Sequence, residues 1–478
     1  MNYYVTTSIP YINGEPHLGT GLEFLMADAL ARYARQQGKT VLFCTGTDEH
    51  GTKNAQKAES MGLTPEEFAD QMSKHFLTLA KLLNISNDRF IRTTDPKHEK
   101  IAKIIWKNLE TDIYKSKYTG WYDVKQEEFV PEGHADPERM KPDQPQAYQK
   151  LEEDNYFFKL SKYTDKIKEA IESGKFKIVP KTKRNEILSL LNEGLEDISI
   201  SRPKEKLAWG IEVPGDPTQV MYVWFEALMN YITVLGYPDK QDFKDFWPVN
   251  VQVIGKDISR FHAAIWPAML MSLNLPLPEM LYVHSFINVN GQTMSKSLGN
   301  GIPPKDIVDK YGVDAYRYYF LRHIPSYNDG DFTWENMKSA YDSELANQLG
   351  NAVQRTAVMI TQYQKGTVGD IPPTKHDLGA YHDALTKCRF DRALDEVWEL
   401  VKGLNQYIDE QKPWEIAKSD DQSKLKEVLA YQVACILEIA DLLVPFMPDT
   451  VMKIKGIFDQ GQVKLPESTL FPKKDQEA

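Results

Sequence analysis

Two short segments of the sequence carry residues that could bind a phosphate group. Residues 16–20, Pro-His-Leu-Gly-Thr, follow a strand predicted over 2–7 and open an amphipathic helix, whose first backbone N–H groups would face an anion. Residues 293–300, Thr-Met-Ser-Lys-Ser-Leu-Gly-Asn, form a loop of small residues around Lys296. Taken alone, His17 could be a turn histidine and Lys296 a solvated lysine. Together they predict one phosphate site built from two distant segments.

These segments resemble the two signature motifs of the class I aminoacyl-tRNA synthetases, and their surroundings are similar to methionyl-tRNA synthetases almost from end to end. The resemblance implies a methionine–tRNA ligase. Such an enzyme converts methionine and ATP, with Mg²⁺, to methionyl-adenylate and pyrophosphate. It then transfers methionine to the 3′ end of tRNA(Met), and we expect it to serve both the elongator and the initiator tRNA.

The resemblance implies that His17, Thr20 and Lys296 are catalytic. Thr20 and Thr293 replace a histidine and a lysine that are usual in the two motifs. Each change should weaken electrostatic stabilisation, because a threonine hydroxyl carries no charge. Gly19 would let ATP approach the backbone, since it has no side chain. The expected ATP-binding residues are His17, Gly19, Thr20, Asp257, Met294, Ser295, Lys296 and Ser297.

A methionine side chain requires an apolar, polarisable slot with aromatic edges near its sulfur. Residues 221–231 and 253–262 also resemble methionyl-tRNA synthetases and supply aromatic residues for such a slot, although aromatic residues at this spacing are otherwise core residues. Glu226 stands where aspartate is usual. The expected methionine-binding residues are Ser8, Ile9, Tyr11, Asp48, Trp224, Ala227, Tyr231, Ile258 and His262.

Asp48 belongs to the run Gly-Thr-Asp-Glu-His-Gly over residues 46–51, which offers carboxylate and imidazole ligands. A metal site there is the alternative, but adjacency alone does not give the geometry that a metal needs. The resemblance implies instead that such a carboxylate lies near the amino group of the amino acid. Cys44, Cys388 and Cys435 are far apart and lack the Cys-x-x-Cys spacing, which argues against a disulfide framework and a zinc knuckle. We expect no bound zinc.

The elements that position these residues follow from the hydrophobic pattern. Apolar residues at helical spacing follow His17, Gly38 suits the end of that helix, and residues 40–44 form a short apolar strand. In such a βαβ unit the ligand lies beyond the carboxyl ends of the strands. We therefore predict an α/β fold. Its Rossmann-like, parallel-sheet catalytic domain is split by a connective insertion and is followed by an all-α, helical-bundle anticodon-binding domain.

The pattern also predicts the domain boundaries. The insertion is too short to contain the large editing domain of the valyl, leucyl and isoleucyl relatives, whose substrates differ by single methyl groups. This favours the methionine branch. The expected segments are 1–113 for the first half of the catalytic domain, 114–202 for the connective insertion, 203–290 for the second half, 291–338 for the signature-loop and stem-contact region, 339–465 for the anticodon-binding domain and 466–478 for a polar tail.

The region from about residue 339 has the apolar stripes of a helical bundle, one of them from Phe390 to Ile408. In the family, residues that match Asn351, Arg355, Pro413 and Trp414 recognise the anticodon. Unpaired bases need aromatic stacking and hydrogen bonds, which these side chains could supply. The alternative is that Trp414 belongs to the bundle core.

Length and composition fit a globular protein of several domains, with 478 residues, 42% hydrophobic and 26% charged. The net charge of −11 is the wrong sign for binding nucleic acid by bulk attraction, so any RNA contact must be local. No membrane-length span or presequence is present, and we expect a cytoplasmic protein. Some relatives continue into a dimerising domain that this sequence lacks, so we expect a monomer.

Two other classes of function stay open at this point. A catalytically impaired paralogue that only binds tRNA would fit the threonines at 20 and 293. A nucleotidyltransferase for a small metabolite would share the fold and the first motif, but it leaves the C-terminal bundle unexplained. Methionine-dependent pyrophosphate exchange excludes the first alternative, and tRNA binding excludes the second.

Overall fold

The computed structural model describes residues 1–123, 128–130, 135–141, 148–294, 300–419, 421–458, 461–465 and 467–474, with the backbone alone at 128 and 129. The chain forms two compact units. The first contains Met1–Pro16, Thr40–Thr78 and Asn87–Val283, and the second contains His17–Lys39, Leu79–Ser86 and the chain from His284 onward. Each unit is therefore assembled from separate stretches of the chain.

A six-stranded sheet is the framework of the first unit. The pairings defined for its strands are parallel, and Val5 lies opposite Phe43 on one side and Val251 on the other. Residues 4–8 are all buried, which is the near-continuous burial expected of a parallel sheet. In space, the strands follow the order Arg89–Arg92, Thr40–Thr47, Asn2–Thr7, Val251–Gly255, Met280–His284 and Lys177–Val179.

The strand order reverses beside Asn2–Thr7, which has Thr40–Thr47 on one side and the much later Val251–Gly255 on the other. In an open α/β sheet, ligands bind at such a reversal, outside the carboxyl ends of the strands. The predicted Rossmann-like fold is confirmed. The strand predicted over residues 40–44 continues to Thr47, so Asp48 follows its carboxyl end directly.

The segment predicted as the connective insertion contributes to two kinds of sheet. Ile113–Asp123 and Gln149–Phe158 form an antiparallel pair, with Ile113 opposite Phe158. Lys177–Val179 pairs instead with Met280–His284 in the parallel sheet. The other strands of the antiparallel sheets are Glu128–Val130 and Ile198–Ser199 in the first sheet, and Glu212–Val213, Asp216–Met221 and Ser201–Pro203 in the second.

Helices connect these strands and form most of the C-terminal region. None of the helices within the described ranges is both long enough and apolar enough to cross a lipid bilayer.

Phe261–Ile265 and Tyr341–Gly350 wind as π-helices, a form that is frequent at functional sites. Short 3₁₀ turns lie at Glu110–Asp112, Leu160–Tyr163 and Lys256–Ile258. The α-helices are Leu18–Gln36, Thr52–Ser60, Pro65–Leu82, Pro96–Asn108, Thr164–Glu172, Lys181–Glu193, Val223–Ala227, Asn230–Thr233, Gln241–Phe246, Trp266–Ser272, Pro304–Tyr311, Val313–Arg322, Trp334–Ala340, Asn351–Gln364, Gly379–Thr386, Phe390–Gln411, Pro413–Ile416, Gln422–Leu443 and Pro448–Ile457.

The second unit contains the helix that the first signature motif opens. Leu18–Gln36 is capped by His17, and Gly38 follows its end with a φ of 74°. Glycine suits this position because it adopts positive φ without steric cost. The predicted end of the helix at Gly38 is thus confirmed to within two residues.

The C-terminal part of the second unit is helical, as predicted. Phe390–Gln411 buries the whole predicted apolar stripe. The chain after the second signature segment forms two helices, Pro304–Tyr311 and Val313–Arg322, and Gly312 lies between them with a φ of 89°. A small sheet combines Gln292–Thr293 and Ile287–Val289, which precede these helices in the chain, with Gly330–Phe332, which follows them.

Candidate functional site

In the first unit, the ends of two neighbouring strands are tied together at the carboxyl edge of the parallel sheet. Tyr11 and Asp48 form an isolated parallel bridge. The backbone N–H of Asp48 donates to the carbonyl of Pro10 at 2.9 Å, and Ile12 donates to the carbonyl of Asp48 at 3.2 Å. On the other side, Ser8 donates to the carbonyl of Val253 at 2.9 Å. The structure therefore brings Ser8, Ile9, Tyr11 and Asp48 to the reversal of the strand order.

A pair of buried aromatic side chains lies on the helical elements of the same unit. The phenol oxygen of Tyr231 is 2.6 Å from Nε2 of His262, and Nδ1 of His262 is 3.0 Å from the carbonyl of Ile258. Burial lowers the pKa of His262 to about 4, so the imidazole is neutral at physiological pH. A neutral ring has one donor and one acceptor. His262 therefore donates from Nδ1 to Ile258 and accepts the hydroxyl hydrogen of Tyr231 at Nε2.

This hydrogen-bonded pair is fixed from two further sides. The hydroxyl of Tyr4, on the first strand, donates to the backbone carbonyl of Tyr231 at 2.9 Å. The ring of Trp266 lies 5.8 Å from the ring of Tyr231. These contacts form an uncharged aromatic cluster, and side chains of this kind commonly line apolar ligand sites.

Trp224 and Ala227 lie on one short helix, Val223–Ala227. The half-buried indole of Trp224 stacks on Phe261, with the ring centres 4.1 Å apart and the planes inclined by 16°. Phe261 was not among the residues predicted for the site, although it directly precedes His262. It begins the π-helix Phe261–Ile265, whose extra residue per turn cannot be read from the sequence pattern.

The three side chains of the run Asp48, Glu49 and His50 do not converge on one point. Both oxygens of Glu49 accept from Arg92, at 2.7 and 2.9 Å, and the indole of Trp209 donates to the carbonyl of Glu49. His50 faces a different carboxylate, described next. Within the described part of the chain, no three histidine, cysteine or carboxylate side chains are placed to hold a metal ion.

A buried carboxylate that the sequence did not predict as functional lies between two histidines. Oε1 of Glu226 is 2.8 Å from Nδ1 of His50, and Oε2 is 2.9 Å from Nε2 of His98. Burial disfavours the charged form of His50, but Glu226 outweighs burial and raises the pKa of His50. Burial also disfavours the Glu226 anion, but the two histidines hold the pKa of this carboxyl below its usual range. The group is a charged, hydrogen-bonded network.

In the second unit, the first signature segment forms a helix cap. Nδ1 of His17 accepts the backbone N–H of Gly19 at 3.1 Å. In a neutral ring Nε2 must then carry the hydrogen. A methyl group built on Gly19 would lie 2.9 Å from Cε1 of His17, closer than real contacts allow. Gly19 is thus required by the position of the histidine ring itself. Thr20 is half-buried in the first turn of the helix.

The second signature segment is described only at its ends. Thr293 ends the strand Gln292–Thr293, and the side chain of Asn300 donates to its carbonyl at 3.2 Å. Met294 is half-buried. The predicted residues Ser295, Lys296 and Ser297 lie outside the described residues. In the first unit, Asp257 is exposed in the 3₁₀ turn that follows Val251–Gly255.

The predicted anticodon residues lie near one another in the second unit. The guanidinium of Arg355 is 5.4 Å from the ring centre of Trp414 and donates to Asp409 at 3.1 Å. Trp414 is half-buried rather than a core residue, and Pro413 beside it is buried. Asn351 is exposed and begins the helix that carries Arg355 one turn later.

The chain is similar to known proteins over nearly all of its length. The family described as tRNA synthetases class I (M) matches residues 3–138 and 136–357. A methionine–tRNA ligase of Thermotoga maritima is 41% identical over 471 residues, which cover 94% of this chain and 74% of that protein. A methionine–tRNA ligase of Brucella melitensis is 40% identical over 473 residues, which cover 95% of this chain and 91% of that protein. Mycobacterium tuberculosis methionyl-tRNA synthetase, in complex with methionyl-adenylate, has a TM-score of 0.92 and 35% identity, covering 98% of this chain and 99% of that one.

Proposed function

The chain belongs to the methionine–tRNA ligase family of the class I tRNA synthetases, and we propose which of its residues carry the reaction. The enzyme uses ATP to convert methionine to methionyl-adenylate and pyrophosphate, and then transfers the methionyl group to tRNA. The observation that carries this function is the similarity over 98% of the chain to a synthetase whose structure contains methionyl-adenylate.

In the first unit, we assign methionine binding to Ser8, Ile9, Tyr11, Asp48, Trp224, Ala227, Tyr231, Ile258 and His262. The neutral hydrogen-bonded pair of Tyr231 and His262 supports this assignment, because a polarisable thioether is best accommodated by uncharged aromatic edges. Trp224, held flat against Phe261, adds an apolar wall. Asp48 follows the carboxyl end of its strand and supplies a negative charge suited to the ammonium group of methionine.

Activation places most of its developing charge on phosphate oxygens. A carboxylate oxygen of methionine attacks the α-phosphorus of ATP, and the bond from this phosphorus to the departing pyrophosphate breaks. Hydrogen-bond donors and cations that are already oriented stabilise such a transition state. We assign this role to His17, through Nε2–H, and to Lys296. Mg²⁺ enters with ATP as part of the substrate.

The other ATP-binding residues act by contact rather than by charge. Thr20 presents a backbone N–H group in the first turn of Leu18–Gln36, where the helix dipole favours an anion, and Gly19 has no side chain to block the approach to this turn. The exposed carboxylate of Asp257 is suited to the ribose hydroxyls, and Met294, Ser295 and Ser297 complete the second signature segment.

In the second unit, we propose that residues 339–465 recognise the anticodon through Asn351, Arg355, Pro413 and Trp414. The half-buried indole of Trp414 lies beneath the Arg355 guanidinium, an arrangement that suits stacking of an unpaired base. Trp414→Ala should raise the KM for tRNA(Met) by the equivalent of about 1–3 kcal/mol and leave pyrophosphate exchange unchanged. The matched control is Trp398→Ala, which truncates a fully buried tryptophan of the same unit and should lower thermal stability instead.

The decisive experiment for the whole assignment is amino-acid-dependent pyrophosphate exchange with each of the twenty amino acids. We expect exchange with methionine and negligible exchange with the others. A protein that binds tRNA(Met) but exchanges with no amino acid would be the impaired paralogue. Exchange that needs no amino acid, together with no tRNA binding, would indicate a small-metabolite nucleotidyltransferase.

We further propose that the protein charges both elongator and initiator tRNA(Met), acts as a monomer and contains no zinc. The sequence supports the last point, since its only cysteines are three buried residues far apart in the chain. Charging assays with the two tRNAs, light scattering and elemental analysis after dialysis test these points separately. One zinc per chain would contradict the interpretation of the insertion.

A further inference from the structure

One buried carboxylate in the first unit joins two segments of the proposed methionine site. Glu226 is wholly inaccessible to solvent, and each of its oxygens lies within 2.9 Å of a different imidazole nitrogen. A carboxylate can only accept hydrogen bonds, so both facing nitrogens, on His50 and His98, must carry hydrogens. Two histidines from different elements therefore hold the glutamate from opposite ends of its carboxylate.

Both joined segments carry residues of the site. Glu226 lies between Trp224 and Ala227 on the helix Val223–Ala227, and His50 comes two residues after Asp48. A helix of five residues is not stable by itself, and Tyr222 at its start makes no side-chain cap. The position of Trp224 and Ala227 therefore depends on tertiary contacts, and the Glu226 carboxylate makes two of them.

The rings on either side of Glu226 are themselves fixed. Nδ1 of His98 is 2.7 Å from the hydroxyl of Thr233, so both nitrogens of this ring are engaged. Nε2 of His50 is 3.9 Å from Glu99, and its ring centre is 5.1 Å from that of Trp209. The charged groups that act on His50 are Glu226, Glu99 and Glu49, of which Glu49 is paired with Arg92. All three favour the protonated ring.

We propose that Glu226 is a positioning residue for methionine. Its carboxylate holds the helix that carries Trp224 and Ala227 against the segment that carries Asp48, and thereby sets the affinity for the amino acid. The side chain of glutamate is long enough to reach both histidines, and an aspartate at this position would be one methylene too short to keep both contacts. This inference rests on the proposed methionine-activating function.

Two substitutions separate the length of the side chain from its charge. Glu226→Asp keeps the charge but shortens the side chain by one methylene, so that it no longer contacts both histidines. The KM for methionine in pyrophosphate exchange should therefore rise about tenfold, the equivalent of one charged hydrogen bond. The KM for ATP should change little. Glu226→Gln keeps the reach, since its amide can accept from one histidine and donate to the other in its alternative tautomer. Its methionine KM should stay within about threefold of the wild-type value, since both contacts are kept.

The pH dependence gives a readout that a merely structural role would not move. Glu226 raises the pKa of His50, so the charged pair is present at low pH and is lost as pH rises through that pKa. In the wild-type protein the methionine KM should increase across this range. In Glu226→Gln this increase should be absent, because the neutral amide forms no charged pair with the imidazole of His50.

Glu344→Gln is the matched control, since it removes the carboxylate of another glutamate–histidine pair, with His323, in the second unit. This variant should keep the wild-type methionine KM. An unchanged methionine KM in Glu226→Asp, or an equal rise in the KM for methionine and ATP, would overturn the proposal. If the wild-type protein showed no methionine-dependent exchange, the proposed function would fail instead. If Glu226→Asp does not fold, a pH dependence of the methionine KM in Glu226→Gln equal to that of the wild-type protein would still refute the inference.

Discussion

The guanidinium of Arg317 holds together several segments of the second unit, and its removal gives a test of that packing. Arg317 is fully buried and donates to the carboxylate of Asp28 at 2.6 Å. It also donates to the carbonyls of Phe446, Leu83 and Pro445, at 2.7, 3.0 and 3.0 Å. Asp28 lies on Leu18–Gln36, the helix that His17 caps, so the side chain of Arg317 connects this helix to Val313–Arg322.

Arg317→Met is expected to cost about 3–5 kcal/mol, the usual effect of removing one partner of a buried ion pair. Asp28 would keep Arg32, at 2.7 Å, and Ser86, but it would lose its fully buried cation. The three carbonyls would lose a donor as well. Asp28→Asn in the same background should restore part of the loss, because the buried carboxylate is then neutral, and the coupling between the two changes should be about 1–3 kcal/mol.

The measurement is native-state hydrogen exchange of peptides from Leu18–Gln36 and Val313–Arg322, which reports the opening free energy of each helix without assuming two-state unfolding of the whole chain. Arg322→Met is the control, since Arg322 lies on the same helix. Its ion pairs with Glu344 and Asp395 are both 3.4 Å long, longer than the ion pair of Arg317 with Asp28. A loss of less than about 1 kcal/mol in Arg317→Met, or an equal loss in both variants, would refute the reasoning.

Three further predictions concern residues of the proposed catalytic, ATP-binding and methionine-binding sets. Lys296→Ala should lower the rate of methionyl-adenylate formation by a large factor without changing methionine binding, because the lysine acts on charge in the transition state. Exchange kinetics measure the rate and isothermal titration measures the affinity for methionine. An equal loss of affinity would contradict this prediction. Gly19→Ala should slow exchange by displacing His17, whose ring lies 2.9 Å from the added methyl group, while Gly403→Ala, with open space around its Cβ position, should not. His262 should be neutral in an NMR titration at pH 6, since burial lowers its pKa to about 4. Because the pKa of histidine in the unfolded chain is about 6.5, the neutral ring stabilises the fold fully above that pH, and this stability is lost as the pH falls from about 6.5 towards 4.

The sequence predicted best those features that depend on neighbours along the chain. The first strand, the helix after His17 and its end near Gly38 follow from spacing and from the preferences of single residues. The apolar stripe from Phe390 to Ile408 is buried for the same reason, since helical periodicity alone defines a face. The break between Pro304–Tyr311 and Val313–Arg322 does not follow from spacing in this way, because a glycine such as Gly312 within a helical pattern does not reveal its φ.

Contacts between distant residues could not be predicted in this way. Glu226 is 176 residues from His50 and 128 from His98, and Arg317 is 289 from Asp28. From the sequence alone, each of these residues would be expected to lie on the surface, as most polar residues do. Their partners become defined only when the sheet and the helices have brought the segments together. The only local signal of such a contact is a polar residue within an apolar segment, as Glu226 is between Phe225 and Ala227.

The structure gives a different reason for the glycine at position 19 than the sequence does. From the sequence, the absence of a side chain is explained by the approach of ATP to the backbone. In the structure, an added methyl group would lie only 2.9 Å from Cε1 of His17, because Nδ1 of this ring accepts the N–H of Gly19. The backbone N–H of Gly19 therefore helps to fix the orientation of the histidine ring. The same contact directs the remaining hydrogen of a neutral His17 to Nε2, which is the state needed to donate to a phosphate oxygen.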